Sequence, residues 1–275
     1  MNKLQKWRAL LAVPVLAAAA GTAQAATLEI SITNTAQTGG FALTPLFAAF
    51  HDGNFDAFDV GSGASASVEA LAEVGNASGL VADLAAQVPT AQSTVIAAPQ
   101  SGPPTIDPGE TSTVQIELDP GSQRFFSFLS MLVPSNDTFL ANDDPLAYEL
   151  FDVAGAFVGD FSIDLSATAL YDAGTEVNDP TGGPAFVVGQ DGTAGVAENG
   201  VIHKAESLAD FAGIATPLGL LDGALIDFIG DPAAFSVARI DIRAVAPVPL
   251  PAAAFLMLGA LGAIGAVRQR RLAAV

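Results

Sequence analysis

Along the middle of the chain, short runs alternate between apolar and polar residues. Thr27–Thr35 (TLEISITNT) places Leu28, Ile30 and Ile32 on one face. Thr113–Leu118 repeats the pattern with Val114, Ile116 and Leu118, and Phe161–Leu165 with Phe161, Ile163 and Leu165. A period of two is the mark of a half-buried strand. Arg124–Leu132 (RFFSFLSML) is instead a continuous apolar run of the buried type. Ser236–Val245 carries Val237, Ile240 and Ile242, with one slip of phase at Ala238-Arg239 that a bulge would produce. Helical spacing is confined to Ser67–Val74, with Val68, Leu71 and Ala72 on one side, to Gly79–Val88, and to a turn or two in Ala205–Ala212. Ala97–Gly109 contains four prolines and reads as an extended connector. There is no internal repeat. Strands dominate, so the pattern predicts an all-β antiparallel sandwich with short helical insertions in its loops.

The two ends break from this pattern. Lys3, Lys6 and Arg8 precede an apolar stretch from Leu10 to Ala20, followed by Ala23-Gln24-Ala25. That order is a secretory signal peptide, with cleavage expected after Ala25. Near the other end no charge occurs from Pro249 to Val267, and Arg268, Arg270 and Arg271 follow directly. This stretch is long enough to read as a membrane helix, with the arginines on the cytoplasmic side. The sequence therefore divides into a signal peptide at 1–25, a domain at 26–247 and a hydrophobic C-terminal segment at 248–275.

Val248-Pro249-Leu250-Pro251-Ala252, the apolar span and the arginine cluster together resemble a bacterial PEP-CTERM-type sorting tail of the VPLPA variety. The resemblance implies recognition by an exosortase-type sorting enzyme, transient inner-membrane anchoring through the C-terminal helix, and export to the cell surface or extracellular matrix. An ordinary C-terminal membrane anchor remains the alternative.

Charge sharpens the picture. The chain of 275 residues has a formal net charge of −19, from 29 acidic and 10 basic residues. All 29 acids lie between Glu29 and Asp241, where only Arg124, Lys204, Arg239 and Arg243 oppose them. Such a domain has no basic face with which to hold nucleic acid. It has no cysteine and only two histidines, which excludes disulfides, thiolate metal sites and a histidine-rich centre.

Candidate chemistry lies in two acid-rich segments after hydrophobic strands, 133–152 and 171–180. Asp172-Ala173-Gly174-Thr175-Glu176 puts two carboxylates four residues apart, with a glycine that permits a tight turn. Hard cations such as calcium take oxygen ligands of this kind, although acidic residues also cap ordinary turns. Asp52, Asn54 and Asp56 mimic the start of an EF-hand loop, but Ala57 and Gly63 stand where that loop needs Gly and Glu. His51 has no nucleophile elbow to serve and reads as a hydrogen-bonded structural residue. Glu69 and Glu73 read as a solvated helix face. The glycine-rich stretch from Gly182 to Gly200, with Asp179, Asp191 and Glu198, reads as a mobile acidic loop with no lysine to make it a phosphate cradle.

Several of these pieces together resemble the spondin domain, the N-terminal module of F-spondin and mindin. They are Leu43-Thr44-Pro45-Leu46 with His51, Gly61, Leu71-Ala72-Glu73-Val74-Gly75, Pro134-Ser135-Asn136-Asp137-Thr138-Phe139, and the Asp172–Glu176 turn. The resemblance covers roughly residues 27–245. It implies a C2-like antiparallel β-sandwich, an adhesive extracellular module without catalysis, and one calcium ion held by Asp137, Asp172 and Glu176. The family's tryptophan is Thr138 here, its proline before the first aspartate is Asn136, and its last aspartate is Glu176.

The sequence thus leads to an exported, calcium-binding adhesion or matrix protein that is not an enzyme. Its expected partners are the exosortase-type enzyme and an extracellular polysaccharide or surface protein, with no nucleic acid. A secreted hydrolase acting on polysaccharide and a metal-free structural matrix protein are the alternatives.

Overall fold

A computed structural model of the chain describes residues 25–98 and 104–246. The predicted signal peptide, the sorting tail and part of the proline-rich connector lie outside the described residues. Among those described, no helix is long and apolar enough to cross a membrane.

In chain order the strands and helices are β1 (Ala26–Asn34), β2 (Ala42–Leu43), β3 (Leu46–His51), α1 (Ala66–Val74), α2 (Ser78–Gln87), β4 (Gln92–Ile96), β5 (Thr111–Leu118), β6 (Phe125–Val133) and β7 (Thr138–Ala141). They continue with β8 (Phe161–Ser166), β9 (Leu170–Asp172), β10 (His203–Lys204), β11 (Ala215–Thr216), β12 (Gly219–Leu220) and β13 (Ser236–Ala244). One antiparallel sheet has the order β5-β1-β13-β8. The other has the order β10-β9-β7-β6-β3-β4, with β2 added beside β6. The five strands read from the sequence are all present, within two residues at each end.

The smaller sheet buries one face only, as its alternating sequence dictates. Leu28, Ile30 and Ile32 of β1, Ile116 and Leu118 of β5, and Ile240 and Ile242 of β13 point into the space between the sheets. The register of β13 against β8 shifts between Ser236 and Ala238, so Val237 and Ala238 are both buried. The bulge therefore falls just before the predicted Ala238-Arg239 step, and it restores the inward phase of Ile240 and Ile242.

The larger sheet is buried on both faces. Leu46, Ala48 and Phe50 of β3, with Phe126 and Phe128 of β6, meet the smaller sheet. Phe47 and Ala49 of β3, Leu129 of β6, Phe139 of β7 and Tyr171 of β9 point the other way. There they meet Val68, Leu71 and Ala72 of α1 and Leu80 and Leu84 of α2. The two short helices, both inserted between β3 and β4 as the sequence led one to expect, thus also form a third layer. Double burial explains why LFAAFH and FFSFLSMLV are apolar at almost every position.

Local chemistry sets α1 at the right place. Ser65 caps its N-terminus by accepting the Val68 N–H, and Gly75 ends it in the left-handed conformation at φ 69°. A Cβ at Gly75 would lie 2.7 Å from the Thr44 side chain, so the helix end can approach the β2–β3 junction only as glycine. Thr44 in turn is fixed through its Oγ1, which accepts the Met131 N–H, and its carbonyl, which accepts from Ser130 Oγ.

The double-sided burial makes a testable demand. Leu129→Ala removes a fully buried side chain from the sheet–helix interface and is expected to cost about 3 kcal/mol in urea unfolding. Leu220→Ala, at a site 67% exposed, should change stability by less than about 0.5 kcal/mol. A small effect at Leu129 would mean that this face is not covered.

Candidate functional site

The site is built where β6, β7 and β9 run out together. Ser135, in the turn after β6, accepts the Thr138 N–H on its Oγ and donates that hydroxyl to the Leu132 carbonyl. This closes the turn and holds Asn136 and Asp137 inside it, both buried. Thr138 stands opposite Asp172 in the β7–β9 pair, so the two segments enter the site in fixed register. The segment read as a continuous acid-rich turn over 133–152 therefore contains a strand. Thr138–Ala141 pairs on both sides.

After β9 the chain turns sharply at Gly174, φ 65°, where a Cβ would come within 2.7 Å of the Val201 backbone. The turn offers its N–H groups to the first segment. Asp137 Oδ2 accepts from Thr175 N at 2.8 Å, from Glu176 N at 3.0 Å and from Thr175 Oγ1 at 3.2 Å. Asp137 Oδ1 is buried and has no partner in the protein. Asp172 accepts the Gly174 N–H on Oδ1 at 2.8 Å and the Asn178 Nδ2–H on Oδ2 at 2.6 Å. His203 Nδ1 lies 3.8 Å from Asp172 Oδ1 and is within hydrogen-bond distance of the Val201 carbonyl.

Of the three predicted cation ligands, the fold brings two together. Burial, and next the neighbouring Asp172 carboxylate, push the Asp137 carboxyl up to about 7 against the pull of its three hydrogen bonds. Burial also raises Asp172, with Gly174, His203 and Asn178 opposing. Glu176 is buried in the same turn, but its carboxylate follows a different course. It accepts from Asn136 Nδ2 at 3.4 Å and covers Gly195 so closely that a Cβ there would collide with it. Burial raises its pKa, and the charged neighbour that adds to this is Glu69. Glu176 reaches Asp137 through its backbone N–H.

Among the described residues, no group of three or more His, Cys, Asp or Glu side chains gathers to hold a metal. The Asp137–Asp172 pair nonetheless fits a hard cation. It offers oxygen only, one oxygen lacks any donor, and two carboxylates share a buried corner with no cationic side chain hydrogen-bonded to either.

Other sequence readings meet mixed outcomes. His51 is structural, as expected. Its Nδ1 accepts the Gly53 N–H, so Nε2 carries the proton and donates to Ser127 Oγ at 3.0 Å. Glu69 is exposed, but Glu73 is half-buried, and burial raises its pKa, with Glu176 and Glu69 adding to the shift. The stretch from 182 to 200 meets the site turn at its far end. Val177 N donates to Val196 O, Glu198 N to Thr175 O and Gly200 N to Gly174 O. Asn136 and Thr175 entered the sequence reading only as members of the two motifs, and Asn178 was not singled out. The available signal was that each bears an oxygen in the same two turns as the aspartates.

The family model Spondin_N matches residues 34–181, just over half of the chain and the whole of both site turns. The chain belongs to this family of spondin N-terminal domains, and the match points to an extracellular, adhesion-type protein. No curated protein matches the sequence.

Two buried groups give opposite pH dependence in the metal-free protein. Burial pulls the His51 imidazole down to about 4. The unfolded chain then binds more protons between pH 4 and 6.5, and stability falls as pH drops through that window. The Asp137 carboxyl, raised to about 7, keeps its proton in the fold where the unfolded chain has lost it. Its contribution is complete below about pH 4 and is lost as pH rises toward 7. The two slopes oppose each other. Asp137→Asn should therefore leave stability rising with pH from 4 to 6.5, and His51→Gln should leave it falling with pH over the same range. Chemical denaturation in chelator across pH 4–7 checks both signs; identical profiles for the two variants would contradict the assignment.

Proposed function

We propose that this chain is an exported, non-catalytic adhesion module whose binding surface includes a calcium ion held at the Asp137–Asp172 corner. The observation that carries this reading is the buried Asp137, whose Oδ1 has no donor while Oδ2 is saturated by the neighbouring turn. Bound there, a divalent cation would neutralise the two carboxylates and leave coordination positions for oxygen groups of a partner. The chain's own contribution is to hold both carboxylates in place before anything binds. Thr175 and Glu176 fix Asp137 through their N–H groups, and Gly174 and Asn178 fix Asp172.

The ends of the sequence support the address. A signal-peptide order at the N-terminus and the VPLPA-type tail fit export, handling by an exosortase-type enzyme and retention at the cell surface or in an extracellular matrix. The acid excess of the domain supports the type of contact. A surface with so few cations repels acidic polysaccharide unless divalent ions bridge the two.

Calcium should raise the melting temperature of the purified protein. Saturation at a hundredfold excess over Kd corresponds to about 2.7 kcal/mol of stabilisation. Asp137→Asn and Asp172→Asn should each remove that response; Asp137→Asn should also keep, or slightly raise, the melting temperature in chelator, because its amide oxygen can still accept from the Thr175–Glu176 turn without a buried charge. A wild-type melting temperature that is the same in chelator and in millimolar calcium would sink the cation reading.

Retention on the native matrix should need calcium and weaken at high salt. Binding of the wild type is compared in calcium, in chelator and with Asp172→Asn. Equal retention in the three arms contradicts a calcium bridge, and release of soluble sugar by the wild type would favour the hydrolase alternative instead.

A further inference from the structure

The Glu176 carboxylate is engaged with Asn136 and Gly195, and the side chain that bonds Asp172 directly is Asn178. Among the described residues, four buried side-chain oxygens lack a hydrogen-bond partner: those of Ser112, Asp137, Thr138 and Asn178. Three of the four belong to the two site turns or the strand start between them. Native folds leave few such atoms, and a cluster of them at one corner points to a ligand that the protein's own donors do not replace.

Asn178 is the informative member. Its Nδ2 donates to Asp172 Oδ2 at 2.6 Å, which fixes the orientation of the amide, since the reverse would set two oxygens against each other. The amide oxygen is thereby committed to the other side, shielded and without a donor. An amide oxygen of this kind is a normal ligand for a hard cation.

Resting on the cation reading above, we propose that Asn178, and not the Glu176 carboxylate, supplies the third side-chain oxygen of the site. Glu176 has another task. Its carboxylate takes the Asn136 amide and lies on Gly195, so it clamps the 182–200 segment against the turn.

Terbium can stand in for calcium, and its luminescence lifetimes in water and in deuterium oxide count the waters bound to the ion. The full-length protein is compared with Asn178→Ala and Glu176→Met, which keeps the length of the side chain but offers no oxygen, and calcium affinity is measured by calorimetry. Asn178→Ala should weaken calcium binding about tenfold or more and add one terbium-bound water. Glu176→Met should keep calcium affinity within about threefold and add none. A residue that only positions Asp172 would change affinity without adding a water, so a weakened Asn178→Ala site with an unchanged water count overturns the proposal. So does a water gained in Glu176→Met, which also decides the matter alone if Asn178→Ala does not fold. Wild-type protein that takes up neither ion overturns both this inference and the cation reading. Wild-type uptake that is lost in Asp172→Asn, with no added water in Asn178→Ala, overturns this inference alone.

Discussion

The large sheet has to be covered on both faces, and most of the architecture follows from that constraint. Strands with apolar side chains on both sides cannot face water on either. The smaller sheet satisfies one side and the α1–α2 layer the other. Every device that fixes α1 serves this cover: the Ser65 cap, the left-handed Gly75 and the close fit of Gly75 on Thr44. His51, at the end of β3, shows what the constraint does to polar groups. It is fully buried and survives there by spending both ring nitrogens on Gly53 and Ser127.

The same constraint concentrates charge where the strands stop. A buried carboxylate is costly unless it is bonded or paired. Asp137 and Asp172 sit at the ends of doubly covered strands, held by backbone N–H groups, and the Asp172 charge adds to burial in raising the Asp137 carboxyl. A cation at that corner would oppose both effects. The backbone of 196–200 lies along the same turn.

The fold was legible where the pattern had one meaning. Half-buried strands such as Thr27–Thr35 and Phe161–Leu165 declare themselves by alternation. Leu46–His51 and Thr138–Ala141 did not, because a short run buried on both faces has no period to read. The helices were visible, but their role as a layer was not, since α1 shows which of its faces is apolar and not what that face will meet. Asp137 and Asp172 were found through the spondin-like motifs, which survive as contacts: Gly75 on Thr44, His51 on Ser127, Asp137 on the Asp172–Glu176 turn. Spacing placed Glu176 with them, but spacing fixes a backbone position and leaves the side chain's direction open. Asn178 carries no charge and so gave no electrostatic signal.

The account stands most directly on whether a cation occupies the Asp137–Asp172 corner. Crystals of the protein grown with calcium and soaked in terbium would show this by anomalous scattering. The account predicts one dominant peak within about 2.6 Å of oxygens from both Asp137 and Asp172. A map with no peak at that corner, in crystals whose corner is open to solvent, would contradict it.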